Sequence, residues 1–136
     1  MVKLLADDAL GSKREDASIP LLDSYTQAFD QIEQDKNQNL CVLDLNGEVV
    51  GLFQLTFIPY LTYKGSWRAQ LEGVRVHSEH RGKQWGDHIM DWCISKSKEK
   101  GAHVLQLTTD KQRPKALSFY LRHGMVASHE GLKLHL

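Results

Sequence analysis

The chain has 136 residues, 41% hydrophobic and 25% charged, which is the composition of one globular domain large enough to bury its own core. Lys and Arg number 17 and so do Asp and Glu, so no overall charge draws the chain to nucleic acid or to an anionic membrane. Any affinity for a polyanionic ligand must therefore be local. No run of residues approaches membrane-spanning length, and the first residues are too few and too acidic for a secretory signal. Cys41 and Cys93 have neither metal-ligand spacing nor a disulfide framework, so the expected location is a reducing cytoplasm.

In chain order, residues 2–10 carry a short helical pattern that Gly11 ends, and residues 12–16 form a polar loop. Ser18 is placed as the N-cap and Pro20 as an early residue of a second helix. Leu21, Leu22, Tyr25, Ala28, Phe29 and Ile32 keep helical spacing to about residue 35, and the polar run 37–39 breaks it. Residues 40–45 read as a strand. Asn46-Gly47 is the strongest short hairpin signal in the sequence, and the return strand runs over 48–58 to stop at Pro59. A loop at 60–66 leads to a strand from Trp67 to His77.

The stretch 74–89 reads as the end of that strand, a turn, and the head of an amphipathic helix. Trp85, Ile89, Trp92, Cys93 and Lys96 share one face of the helix at 85–100. A strand passing through a Gly-containing turn into a helix aims several free N–H groups at one place, where the helix dipole also favours negative charge. Arg81 and Lys83 add two cations to this turn. The arrangement suits a pyrophosphate. The helix ends in Lys96, Lys98 and Lys100 before Gly101, and residues 103–109 follow as a strand. Strand, helix and strand in this order imply two parallel strands joined by a right-handed crossover. A helix at 114–123 starts with Pro114 and is capped by Gly124. A strand is expected near 125–128, and the alternating tail at 132–136 reads as another with one wet face. There are no repeats and no linker. The expectation is an α/β domain whose mixed sheet opens with antiparallel hairpins and turns parallel after 74–76, flanked by helices.

Arg81-Gly82-Lys83-Gln84-Trp85-Gly86, followed by Ala116-Leu117-Ser118-Phe119-Tyr120 and Gly124-Met125, resembles the two signature motifs of the GNAT acyl-CoA-dependent N-acetyltransferases. The family's usual forms are Arg-Gly-x-Gly-x-Gly/Ala and Ala-x-x-Phe-Tyr-x-x-x-Gly-Phe. The resemblance covers the chain from about Asn39 to its end and implies a single GNAT domain over residues 1–136. Its N-terminal strand is missing from the pattern, because the chain starts partway into the family's first helix. Another segment, or a partner subunit, would then cover the sheet edge, and a homodimer is the expected assembly. Gln84 departs from the family's Gly and either crowds the pyrophosphate or points outward. Arg113 replaces an asparagine often found before the last motif, beside the cofactor arm.

What the resemblance implies for the site is acetyl-CoA held by Val74, Arg75, Val76, Arg81, Gly82, Lys83, Gln84, Trp85, Gly86, Asp87 and Arg113. The amides near Val74 and Val76 would hold the pantetheine arm and polarise the thioester carbonyl. Glu72 matches the position of an acidic general base, a role that asks for partial burial, or it is a surface carboxylate balanced by Arg75 or Arg68. Tyr120 matches the motif tyrosine that protonates the departing thiolate, or it is a core tyrosine spaced with Leu117 and Leu121. Tyr60, Tyr63, Trp67 and Arg68 surround the loop that by resemblance borders the acceptor, and Tyr60, Trp67 and Arg68 are its expected contacts.

No metal is expected. His77 and His80 with Glu79 find no further ligand at suitable spacing, and Ser128-His129-Glu130 has no nucleophile motif beside it. The leading function is transfer of an acetyl group from acetyl-CoA to a primary amine, small molecule or protein, by direct attack in a ternary complex. The alternatives are a non-catalytic acyl-CoA binder and an interaction domain keeping only the fold. Neither nucleic acid nor membrane is an expected partner.

Overall fold

A computed structural model describes all of residues 1–136. The chain divides into two compact units, Met1–Gln106 and Leu107–Leu136.

The first unit is built on one four-stranded sheet in the order β1-β2-β3-β4. β1 (Gln38–Leu45) and β2 (Glu48–Pro59) pair antiparallel around Asn46 and Gly47, whose φ of 54° and 89° are what a tight two-residue hairpin turn requires. The Gly47 N–H donates to Asp44 Oδ1 at 3.0 Å and closes the turn. β3 (Trp67–Val76) adds antiparallel to β2, and β4 (Ala102–Gln106) adds parallel to β3. The parallel pair is joined through α4 (Trp85–Glu99), the crossover expected from the strand–helix–strand pattern. The mixed α/β sheet is therefore as the sequence implies.

The core lies along β2 and α4. Val50, Leu52, Phe53, Leu55 and Phe57 of β2 are buried with Ala69 and Leu71 of β3 and Ile89, Met90 and Cys93 of α4. Phe53 and Trp92 meet edge to face at 5.3 Å, pinning the helix to the sheet. Each fully buried Leu or Ile contributes about 1.5–3 kcal/mol. The buried stripe of α4 runs through Met90 and Ser97 rather than out to Lys96. Lys96 lies at its margin and pairs with Glu99 at 2.7 Å, as its charge demands.

Several expected boundaries move. The first helix stops early: α1 is Val2–Leu5, and residues beyond it turn because Asp8 Oδ1 accepts from the N–H groups of Leu10 and Gly11. Ser18 caps no helix. Its N–H and hydroxyl bond Asp16, which holds that carboxyl below its ordinary value, and α2 begins at Asp23 and runs to Gln34. The 60–66 loop contains one helical turn, α3 (Thr62–Gly65), with Tyr63 and Lys64 in left-handed backbone.

In the second unit, α5 (Pro114–Arg122) forms as expected, with proline in its first turn. The Met125 N–H donates to the Tyr120 carbonyl at 3.2 Å across left-handed Gly124, which ends the helix. The strands expected at 125–128 and 132–136 do not form, and β4 stops at Gln106 rather than 109. Alternation shows which side chains would share a face, but a strand needs a neighbour to supply its ladder. Leu132, Leu134 and Leu136 are exposed.

Candidate functional site

β3 changes character along its length. From Trp67 to Gln70 it is paired on both edges, to β2 and to β4. The last parallel pair is Gln70 with Gln106, and their side chains close it by a 2.7 Å hydrogen bond. Beyond Gln70 no residue of β3 pairs with β4. On the other edge the ladder with β2 slips: Leu52 faces Arg75 and Gln54 faces Glu72, so Gly73 and Val74 together oppose Phe53. This is a bulge, and Gly73 takes φ of 62°, a conformation a side chain would strain. Val74 and Val76 are half-buried on the released stretch.

The strand then enters the turn. After His77, a short 3-10 turn (Ser78–His80) leads to Gly82 and Gln84, both left-handed, and then to α4. The N–H groups of Gly82, Lys83, Gln84, Trp85 and Gly86 donate to no carbonyl or side chain of the protein. They stand at the positive end of a helix dipole. Gln84 is exposed and has φ of 64°, an uncommon conformation for a residue with a Cβ. Lys83 is exposed, Trp85, Gly86 and Asp87 are half-buried, and Asp87 bonds the Gln84 carbonyl through its N–H at 3.0 Å.

The two arginines nearest the turn are engaged by the N-terminal segment, which sequence reasoning left as an unassigned helix and loop. Arg81 donates from Nε to the Val76 carbonyl at 3.0 Å, and from Nη2 to the Asp7 carbonyl at 2.7 Å and to Asp7 Oδ2 at 3.1 Å. Asp7 Oδ2 also accepts the Ser78 N–H at 2.8 Å. Arg75 is buried; it donates from Nη1 to the Val74 carbonyl at 2.8 Å, and its Nε lies 3.6 Å from Asp8 Oδ2. The one sequence signal for this was two adjacent acids, Asp7 and Asp8, ahead of a distant basic turn.

Glu72 is exposed, since Leu71 beside it points into the core before the bulge. The partial burial asked of a base is absent in the chain alone. Tyr120 is half-buried on α5 with its ring 5.2 Å from Phe119, and Arg113 is half-buried at the helix head. Tyr60 and Arg68 come together at the opposite end of β3 from the turn, while Trp67, the neighbouring residue on the strand, faces the other side of the sheet and meets Lys100 instead. The Arg68 guanidinium lies 4.0 Å from the centre of the Tyr60 ring, and Lys100 Nζ 4.3 Å from that of Trp67. Tyr63 stacks on His103 at 4.3 Å in the same cluster. No group of three or more His, Cys, Asp or Glu is placed to hold a metal ion. Ser128 Oγ and His129 Nδ1 are 2.8 Å apart, an exposed contact between neighbours in sequence.

A sequence profile of the Acetyltransferase (GNAT) family matches residues 5–125. The chain belongs to the GNAT family. Its four-stranded mixed sheet flanked by helices is a fold that acetyltransferase structures share. The chain is 56% identical to a transcriptional regulator from Bacillus halodurans C-125, whose crystal structure superposes with a TM-score of 0.97 over 100% of this chain and 91% of that one. It is 31% identical over 84 residues to the aminoalkylphosphonate N-acetyltransferase of Salmonella typhimurium. That match covers 62% of this chain and 54% of the relative, so the chain spans about half the length of this curated protein. Glucosamine-6-phosphate N-acetyltransferase from Arabidopsis thaliana is 19% identical with a TM-score of 0.80 over 99% of this chain and 88% of that one, a likeness of fold alone. No helix is long and apolar enough to cross a membrane.

Proposed function

We propose that the protein transfers the acetyl group of acetyl-CoA to a primary amine by direct attack in a ternary complex. The observation that carries this reading is the run of undonated N–H groups from Gly82 to Gly86 at the head of α4, beside a strand that β4 has released. Those amides and Lys83 suit a pyrophosphate, and the released edge at Val74 and Val76 suits the amide groups of a pantetheine arm. Arg75 would take part through its backbone, because its side chain is committed to Val74 and the N-terminal segment. Arg113, at the head of α5, is assigned to the cofactor arm by its place just before the family's last motif.

Acetyl-CoA supplies the activated acyl carbon. Glu72 takes the proton from the substrate ammonium directly or through water, so that the amine can attack. A C–N bond forms as the C–S bond breaks; the Tyr120 hydroxyl gives its proton to the departing thiolate, and the second proton that nitrogen loses as the amide forms restores it through water. Arg68 stands four residues from Glu72 on the same face of β3, roughly 13 Å at the rise of a strand, so an acceptor reaching Arg68 and Tyr60 must be extended. Leu22, just before α2, and Phe29 within it are 51% and 38% exposed, although Phe29 lies within the helix's apolar pattern, which supports a homodimer; sedimentation at micromolar concentration should give twice the chain mass. The balanced charge and the two unpaired thiols are in keeping with a cytoplasmic protein that binds neither nucleic acid nor membrane.

The test is a thermal-shift and thiol-release screen with acetyl-CoA against a panel of amines, from polyamines and aminophosphonates to amino acids and protein N-termini. Acetyl-CoA should raise the melting temperature, and at least one amine should release free CoA. A second reading is favoured by the name of the 56%-identical relative: an interaction domain of a regulator that keeps the fold without the chemistry. It requires that acetyl-CoA leave the melting temperature unchanged.

A further inference from the structure

We infer that Asp7 is a positioning residue of the coenzyme site, acting through Arg81. Three strong contacts converge on this one residue. Its Oδ2 accepts from the Ser78 N–H at 2.8 Å and from Arg81 Nη2 at 3.1 Å, and its carbonyl accepts from Arg81 Nη2 at 2.7 Å. With Nε on the Val76 carbonyl at 3.0 Å, the Arg81 guanidinium is gripped along one edge at both of those nitrogens. Nη1 takes no part in these contacts, and the side chain is still 48% exposed. A flexible cation is thereby fixed with its other edge outward, beside the open amides of Gly82 to Gly86. A guanidinium is planar and directional, so fixing it lowers the entropy cost of each contact it makes to a phosphate.

Asp7 is itself held firmly. Asp8 turns the chain by accepting from Leu10 and Gly11, and pairs with the buried Arg75 at 3.6 Å. Gly11 packs against the Leu5 carbonyl so closely that a Cβ there would collide with it. The segment is therefore a stiff strap. It reaches the turn from 74 residues away in sequence and presents Asp7 to it. A carboxylate so near the turn also lowers the local positive potential, so two opposite effects on coenzyme affinity are in play. Orientation wins, since the carboxylate sits on the inner edge of Arg81 and on Ser78, before the open amides begin.

This role rests on the acetyl-CoA reading of the turn. The experiment is calorimetric binding of CoA to the wild-type protein, Asp7→Ala, Asp7→Asn, Arg81→Ala and the double variant Asp7→Ala/Arg81→Ala, each first shown folded by thermal denaturation. Asp7→Ala should raise Kd about tenfold, with Asp7→Asn between it and the wild type because the amide oxygen still accepts from Ser78 and Arg81. Arg81→Ala should raise Kd about tenfold or more, and the double variant should be no weaker than Arg81→Ala alone, since Asp7 acts through that side chain. Additive losses in the double variant would overturn the inference in favour of a plain anchoring role. Unchanged or tighter binding by both Asp7 variants would overturn it in favour of a carboxylate that competes with the phosphates. Absence of CoA binding by the wild type would overturn the reading of the turn and this role together.

Discussion

The two halves of β3 have the same strand backbone and nearly the same apolar content, yet they do opposite things. Trp67 to Gln70 is hydrogen-bonded on both edges and locked by the Gln70–Gln106 side-chain bond. From Leu71 to Val76 the strand keeps β2, loses β4, and spends two residues where β2 spends one. The first half is paired on both edges and the second on one alone. The difference is only in what lies alongside, for the backbone groups of a strand must be satisfied by a neighbour, a ligand or water. A sheet that is fully paired has no room for a substrate. One that parts partway along a strand offers a row of backbone groups at a fixed spacing, next to a core that holds them still.

If that contrast is right, substitutions in the open half act on turnover and those in the closed half on stability. The largest effects are expected for Glu72→Gln and, from α5, Tyr120→Phe. Each should slow turnover by about 10²–10⁴ with little change in acetyl-CoA binding, measured by steady-state thiol release beside calorimetry. Glu72→Gln should also alter the rising limb of the pH–rate profile. A Glu72→Gln enzyme with normal rate and profile would leave the open half a binding surface without a base. Next comes Leu55→Ala, which removes a fully buried side chain paired across to Leu71 at the boundary between the halves. It should cost about 2–5 kcal/mol in urea unfolding. A comparable loss from a substitution at exposed Glu72 would erase the distinction.

A smaller effect is expected in the turn itself. Gln84→Gly relieves a left-handed residue and should stabilise by about 0.5–1 kcal/mol after the greater freedom of glycine in the unfolded chain is counted. Differential scanning calorimetry should then show Tm rising by about 2–5 °C. A fall in Tm would mean that the Gln84 side chain makes contacts worth more than its strain. The mildest prediction concerns the core under the closed half. Burial, reinforced by nearby Cys41, pushes the Cys93 thiol up to about 12. The folded protein thus holds the proton that the unfolded chain releases near its ordinary value of 9.0, so this contribution is intact below pH 9 and is lost as pH rises towards 12. A thiol reagent at pH 8 should leave Cys93 unmodified until denaturant is added. Rapid modification under native conditions would show that α4 opens readily from the sheet.

How much of this was legible depends on how far apart in sequence the interacting groups lie. Asn46-Gly47 specified its hairpin because both φ values it needs are properties of those two residues. The turn at 81–87 was legible only in part, because Gly82 takes left-handed backbone as glycine readily does but the second left-handed residue is Gln84, whose Cβ argues against it, rather than Gly86; Pro114 and Gly124 bracketed α5 as written. The strands expected at 125–128 and 132–136 were misjudged because alternation is local while a ladder is not. Exposure of Glu72 follows from which way Leu71 turns, and that is set by the core it enters.

The sequence by itself determined the family, the order of the main elements and the open amide turn, since periodicity, left-handed residues and helix termini are encoded by neighbours a few positions apart. Tertiary structure alone decided that β3 parts from β4 at Gln70, that the bulge falls at Gly73 and Val74, and that Asp7 grips Arg81. Each of these joins segments from different parts of the chain. Their energies are settled only when the sheet is assembled, because a ladder bond or a charge-assisted contact is worth having only where water has been displaced and both partners are already held in place.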